Sequence, residues 1–403
     1  MKKALKVVAY ILAAVVVVLG SAALYISMMG IPTYQPGSVP LVAERTPERL
    51  ARGKQLVALL CQDCHTSSET QAMTGQRMSD VPPEFGVIYS ANITQDRTYG
   101  IGSWTDGQLA YFLRTGVLKD GRYVPPVMPK YPNMSDEDIL SIIAFLRSDD
   151  RRVLPLPVAD SACRYTFLVK VLTRVAFAPY PYPVAAIAGP DTTNTVAWGK
   201  YLVANCGCYS CHSADFTKLD EFTPEKSEGY MGGGNHLFDI NGVEVFVPNL
   251  TPDHSTGIGN WTREQFTFAL LDGFRPDGTV LRAPMPFWGQ LREAEAGAMY
   301  DYLRTLPVIS NAKRTLERET SGATAGERLY KRLGCNSCHG NNGRGYIPYA
   351  HVNVKYPTDS LLALKIRNPF AFESESRMPR WEGRIQDSEY PALLAHVRRL
   401  AGK

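Results

Sequence analysis

Three short runs of the chain carry two thiols and an imidazole in the order Cys-x-x-Cys-His. They are Cys61-Gln-Asp-Cys64-His65, Cys208-Tyr-Ser-Cys211-His212 and Cys335-Asn-Ser-Cys338-His339. Thiols at this spacing stand about one helical turn apart. They can add to the two vinyl groups of a porphyrin, and the histidine that follows then lies beneath the iron. This is the attachment pattern of c-type haem. The rivals fit less well. Structural zinc wants Cys and His pairs converging as a tetrahedron, which these runs supply only by joining distant blocks. A redox dithiol wants a βαβ setting, whereas each run here follows a helical stretch. A disulfide framework suits short secreted chains with little core. We therefore expect three covalently bound haem c groups, attached through Cys61, Cys64, Cys208, Cys211, Cys335 and Cys338, with His65, His212 and His339 on the irons.

The sixth iron ligand decides between electron transfer and reaction with small molecules. A thioether closes the site and raises the reduction potential. The candidates are Met128, Met285 and Met378, each followed by proline. No histidine lies between His65 and His212, and Met378 is the only methionine after His339. In the second block His236 and His254 compete with Met285, but alignment of Met285 with Met128 favours the thioether. The alternative role for each methionine is core filling.

These residues need elements to hold them. Each run follows a helical stretch (Glu48 to Leu60, Val196 to Asn205, Ala325 to Leu333), and each block closes with an amphipathic helix (Ser135 to Arg147, Arg292 to Arg304, Gln386 to Leu400). The first two blocks are repeats: Asn92-Ile-Thr-Gln-Asp-Arg-Thr-Tyr-Gly-Ile-Gly-Ser-Trp-Thr aligns with Asn249-Leu-Thr-Pro-Asp-His-Ser-Thr-Gly-Ile-Gly-Asn-Trp-Thr. The second is about ten residues longer ahead of this segment, a surplus we assign to a region including Gly232 to Gly234. The third block lacks the segment. Gly53, Gly199 and Gly326 are expected to let each opening helix approach its closing helix near Phe145, Tyr302 or His396. His396 reads as a packing residue and His351 as a loop residue. Trp104 and Trp261 read either as core or as haem contacts, covering a haem edge or bonding a propionate through the indole N–H. Asn92 and Asn249 match the glycosylation pattern but read as loop residues near the haem rim. Cys163 and Cys206 lie outside the attachment spacing, and read either as a disulfide or as two buried thiols.

The whole chain has 403 residues and a net charge of +4. That length suggests several domains, and that charge gives no argument for nucleic acid. Lys2, Lys3 and Lys6 precede an uncharged apolar run from Val7 to Met29, and the first acid is Glu44. A run of this kind is long enough for the ~20-residue hydrocarbon core, and the lysines place the N-terminus in the cytoplasm. A cleaved signal is the competing reading, with Ser21-Ala22-Ala23 as its site. The expected fold is mainly α: a transmembrane anchor (1–30), a tether (31–47), then cytochrome c-like domains at 48–152, 196–310 and 318–403. A connector at 153–195 holds a weakly basic apolar stretch, Tyr165 to Ala178, readable as a packed link or as a helix on a partner or membrane. We find no nucleophile–base constellation and no dinucleotide-binding glycine motif, so no substrate turnover is expected from the chain alone.

The three Cys-x-x-Cys-His runs, the segment from Asn249 to Trp261 and a Met-Pro-x-Trp near the end resemble the triheme cytochrome c subunits of membrane-bound periplasmic dehydrogenases. Those enzymes oxidise alcohols, gluconate, fructose or aldehydes. The resemblance covers nearly all of the chain from about residue 45. It implies an electron relay in the inner membrane with its haem domains in the periplasm. The partner would be a catalytic subunit bearing PQQ, flavin or molybdenum, and the acceptor a quinone or oxidase. Two features depart from the family: the N-terminal anchor, and Asn92-Ile-Thr-Gln-Asp in place of a Pro-Asp form. A haem enzyme of peroxidase or thiosulfate-oxidising type, or the cytochrome arm of an oxidase complex, stays open at this point.

Overall fold

The structure, a computed structural model, describes residues 2–78, 81–312, 320–349, 351–373 and 376–402. The expected start of the third block, 318, lies outside them. The chain begins with α1 (Lys2–Met29), whose most apolar 18-residue window has a mean hydropathy of 2.6 and no buried residue. By length and composition it is able to cross a bilayer.

The first block holds α2 (Pro47–Leu60), α3 (Gln62–His65), α4 (Asp106–Thr115) and α5 (Asp136–Leu146). The connector contributes α6 (Phe167–Val175). The second block repeats the first with α7 (Thr195–Asn205), α8 (Cys208–His212), α9 (Arg263–Asp272) and α10 (Glu293–Leu303). The repeat extends to the caps. Thr105 with Gln108, and Thr262 with Gln265, form matching capping boxes, and Gly116 and Gly273 end the two helices at φ +80° and +79°. The third block has α11 (Ala325–Arg332), α12 (Asn336–His339), α13 (Val352–Lys355), α14 (Asp359–Arg367) and α15 (Tyr390–Ala401). Its closing helix starts later than expected from Gln386, because Asp387–Glu389 winds as a tighter 3-10 turn ahead of Pro391. Strands are short: β1 (Gly86–Val87) pairs antiparallel with β2 (Arg164–Tyr165), and β3 (His236–Phe238) with β4 (Glu244–Phe246).

Each block has its own hydrophobic cluster, built where opening and closing helices cross. Three glycines permit those crossings. A Cβ on Gly53 would lie 1.9 Å from the Ser141 carbonyl oxygen, one on Gly199 1.9 Å from that of Ala298, and one on Gly326 2.0 Å from that of Ala392. The next neighbours are the Cβ atoms of Phe145, Tyr302 and His396, at 2.8, 2.9 and 2.9 Å. The glycine positions read from the sequence are therefore the points of closest helix approach. His396 is buried against Tyr330, as a packing residue should be.

The blocks touch pairwise. α2 and α7 bring blocks one and two together through Arg52, Gln55, Tyr201, Asp138 and Glu295. Asn241, at the turn between β3 and β4, donates to the Asn336 carbonyl at 3.0 Å and accepts from the Asn341 amide at 2.8 Å, while Phe274 packs edge-on against Trp381. Arg377 donates to Asp63 at 2.7 Å, joining block three to block one. In the connector, Tyr182 stacks on Tyr111 and Tyr180 meets Phe222, so the run from Pro179 to Pro183 is a packed link.

Of the two readings of Cys163 and Cys206 the structure has the pair of separate thiols, and one further expectation, the place of the surplus in block two, is corrected. Cys163 and Cys206 are not bonded to each other. The Cys163 sulfur exchanges hydrogen bonds with the backbone N–H and carbonyl of Tyr89, both at 3.3 Å, and Cys206 ends α7 against the second cluster. The surplus of block two lies ahead of the glycine run, between His212 and Gly233, because Gly233 does the work of Gly75, as described next.

Candidate haem attachment sites

In block one the opening helix runs straight into a one-turn helix carrying the Cys-x-x-Cys-His residues; in blocks two and three a left-handed glycine, Gly207 at φ +69° or Gly334 at φ +75°, separates the two helices. The three histidines are then held in one common way. Nδ1 of His65 donates to the Ala91 carbonyl at 2.7 Å, Nδ1 of His212 to that of Pro248 at 2.8 Å, and Nδ1 of His339 to that of Ile347 at 2.6 Å. A carbonyl only accepts, so the proton sits on Nδ1 and the lone pair on Nε2, the tautomer a metal needs. Each histidine's own carbonyl accepts from a glycine amide: Gly75 at 2.9 Å, Gly233 at 2.8 Å and Gly345 at 2.9 Å. Gly75 and Gly233 have φ +82° and +67°, where a side chain would be strained, and a Cβ on Gly75 would sit 2.2 Å from the Ser90 oxygen.

Ala91 and Pro248 immediately precede Asn92 and Asn249, which explains those asparagines. Both are buried. Asn92 donates to the Leu156 and Val158 carbonyls (3.0 and 2.9 Å) and accepts from the Thr94 amide and hydroxyl (2.9 and 2.7 Å). Asn249 donates to Thr256 and the Ile309 carbonyl (3.0 and 2.6 Å) and accepts twice from Thr251 (2.8 and 2.7 Å). Each asparagine pins its loop to the chain leaving the closing helix, and so fixes the carbonyl that orients the histidine. Neither is a surface glycosylation site.

Burial keeps the imidazoles neutral. It lowers His65 below the usual histidine range and pushes His212 and His339 down to about 4, outweighing the carbonyl hydrogen bonds. Burial also raises the Cys61 and Cys208 thiols to about 12. These are not the depressed thiols of a reactive dithiol. Among the described residues no three His, Cys, Asp or Glu side chains converge as a metal-ligand set. The motif cysteines stay apart, block by block.

Met128 packs on the same cluster as Cys61, Met285 on that of Cys208, and Met378 on that of Cys335. Met128 and Met285 occupy equivalent turns, their amides donating to Pro125 and Arg282 at 3.3 and 3.1 Å. The competing histidines are engaged at the surface: His236 Nε2 lies 2.8 Å from Glu244, and His254 Nδ1 2.7 Å from Asn260. His351 is exposed at the start of α13. Trp104 and Trp261 pack on their clusters, with carbonyls accepting from Arg147 and Tyr300, both at 2.6 Å.

The donor set fits haem c. His212 Nε2 is buried without a protein partner, as an iron ligand would be in a structure of protein atoms alone. Two donors near Met285 are also buried and unpartnered, Arg282 Nη1 and Trp288 Nε1, and both suit a carboxylate such as a porphyrin bears. Sequence reasoning passed over both. The tryptophan of Met285-Pro-Phe-Trp288, echoed in Met378-Pro-Arg-Trp381, was the available signal.

Comparison with known proteins agrees with this geometry. A family model described as cytochrome c matches residues 50–149, and one described as cytochrome C oxidase, cbb3-type, subunit III matches residues 321–397. The chain is 28% identical to the fructose dehydrogenase cytochrome subunit of Gluconobacter japonicus, over 76% of this chain and 67% of that protein. It is 27% identical to the alcohol dehydrogenase (quinone) cytochrome c subunit of Gluconobacter oxydans (strain 621H), over 78% of this chain and 67% of that protein. It is also 27% identical to the gluconate 2-dehydrogenase cytochrome c subunit of Pantoea cypripedii, over 73% and 68%. Cytochrome c domains imply covalently bound haem c. The chain is mainly helical, bears an apolar N-terminal helix and cytochrome c domains, and has as homologues the cytochrome c subunits of fructose, alcohol and gluconate dehydrogenases.

Proposed function

We propose that this chain is a membrane-anchored triheme c-type cytochrome that relays electrons one at a time from a partner dehydrogenase to quinone or a terminal oxidase. Its three domains would be 48–152, 196–310 and 318–403, hung from the bilayer by α1 with the domains in the periplasm. The partner would carry PQQ, flavin or molybdenum and perform the substrate chemistry. Haem c supplies a one-electron iron couple.

The chain's residues have separable tasks. Cys61 and Cys64, Cys208 and Cys211, and Cys335 and Cys338 tether the cofactor. His65, His212 and His339 offer Nε2 in a fixed orientation, because Ala91, Pro248 and Ile347 hold Nδ1. Met128, Met285 and Met378 would each supply a thioether ligand and so would exclude water and small ligands. The observation that carries this reading is the threefold recurrence of the histidine-to-carbonyl bond, with a methionine on the same cluster each time. The middle block shares it with the two that match family models.

Intact mass of the purified protein tests the count. Three porphyrin adducts are expected, and fewer would overturn it. Mixing the oxidised protein anaerobically with a dehydrogenase subunit and its substrate tests the relay, with the c-type absorption bands expected to become those of the reduced form.

A further inference from the structure

The connector helix α6 has three faces with different surroundings. Val169 and Thr173 are fully buried. Lys170 and Arg174 face the end of α1: Lys170 Nζ donates to the Ser27 carbonyl at 3.1 Å, and Arg174 Nη1 to the Gly30 carbonyl at 2.6 Å. These carbonyls lie at the C-terminal end of α1, where no further helical turn satisfies them. The third face is Leu168, Val171, Leu172 and Val175, an apolar stripe at helical spacing. Leu168 is 46% exposed, Val175 74%, and neighbouring Phe167 48%. α6 contains no acidic residue.

The segment after α1 is also fixed. The Tyr34 amide donates to the Gly121 carbonyl at 2.7 Å, Thr33 bridges Arg122, and Tyr34 packs edge-on against Tyr123. Block one is thus held to the end of α1 on two sides, with no free linker between them. If α1 spans a bilayer, α6 stands within about one helix diameter, ~10 Å, of its surface. An apolar stripe at that level, exposed at Leu168 and Val175 and half-buried at Val171 and Leu172, has lipid within reach, and two cations beside it suit the headgroup layer.

We propose that α6 lies in the plane of the membrane surface, its Leu168–Val175 stripe at the boundary of headgroups and acyl chains, and seats block one against the bilayer. This rests on the reading of α1 as a retained span. A partner protein is the other candidate for the stripe. The contacts to α1 favour lipid, because they fix the height of α6 relative to the span.

The test uses the full haem-loaded chain in lipid nanodiscs, with Cys163 and Cys206 replaced by serine. A nitroxide is placed by Val175→Cys or, as a water-facing control in block three, by Val354→Cys. Collision with oxygen should exceed collision with a nickel chelate at position 175, and the ratio should be several-fold above that at 354. Equal ratios would overturn the proposal. A label at 175 shielded from both reagents only after a dehydrogenase subunit is added would overturn it too, assigning the stripe to protein. Intact mass on the same sample separates the two readings: loss of α1 overturns the anchor and the proposal together, whereas a retained α1 with a water-exposed label overturns the proposal alone.

Discussion

Gln55 and Tyr201 occupy the same position in the two repeated opening helices, and each reaches across to the other block's closing helix. Gln55 Nε2 donates to Glu295 at 2.6 Å, and the Tyr201 hydroxyl donates to Asp138 at 2.8 Å. Glu295 is the repeat counterpart of Asp138, so the two blocks exchange equivalent bonds about a local twofold relation, as isologous interfaces do. Arg52 lies at the centre, donating to Asp138 at 2.8 and 2.9 Å and to Glu295 at 2.7 Å.

Removing Glu295 should separate the first two blocks. The residue is fully buried. Burial alone would raise its pKa, but hydrogen bonds from Arg292 and the charges of Arg52 and Arg292 hold it below the usual carboxylate range. Glu295→Ala leaves Arg52 partly unpaired in the interface and should cost about 3–5 kcal/mol in denaturant titrations at pH 7. The depressed carboxyl also fixes the sign with pH. Its contribution is complete above the unfolded value of about 4.3 and is lost as pH falls through the lower folded value. The variant's deficit should therefore shrink on acidification; a deficit constant with pH would refute the charge assignment.

Gly199→Ala should force α7 away from α10. The added methyl would stand 1.9 Å from a backbone oxygen that has no rotamer to change. A loss of about 1–3 kcal/mol is expected, as for other overpacked cores. Gly20→Ala is the control, since a Cβ there meets nothing within 4 Å, and should leave stability unchanged.

Met285→Ala should let the reduced protein bind carbon monoxide at one haem and should lower that haem's potential, the thioether being what raises it. His236→Ala should do neither, because His236 is engaged with Glu244 at the surface. The opposite pattern would move the sixth ligand to the histidine.

Asn249→Ala removes four hydrogen bonds from a buried loop, a loss of about 3 kcal/mol. It also frees the Pro248 carbonyl that orients His212. The low-spin electron paramagnetic resonance signal of one haem should shift while the others stay fixed. Loss of stability with all signals unchanged would leave Asn249 as a structural staple alone.

The Cys-x-x-Cys-His runs were legible as candidate attachment sites because covalent chemistry dictates both residue type and spacing. The helix-crossing glycines were legible because a close backbone approach tolerates no other residue. What orients the histidines was hidden, since Ala91, Pro248 and Ile347 act through main-chain oxygens that any residue carries. The placement of the glycine run was missed for a related reason: aligning by count cannot tell which glycine amide meets the histidine carbonyl. Cys163 and Cys206 are an even pair in sequence, but each is committed to a separate packing environment. The contacts among blocks join positions from 63 residues apart, as with Asp138 and Tyr201, to 314 apart, as with Asp63 and Arg377, and no local pattern foretells them.

That last contact closes a ring. Asp63 lies inside the first Cys-x-x-Cys-His run, and Arg377 directly precedes Met378. Because every block also touches the other two, the blocks are joined head to tail and back again rather than strung in a line. A block loosened at one junction is still held by its other neighbour, so no single contact carries the whole assembly.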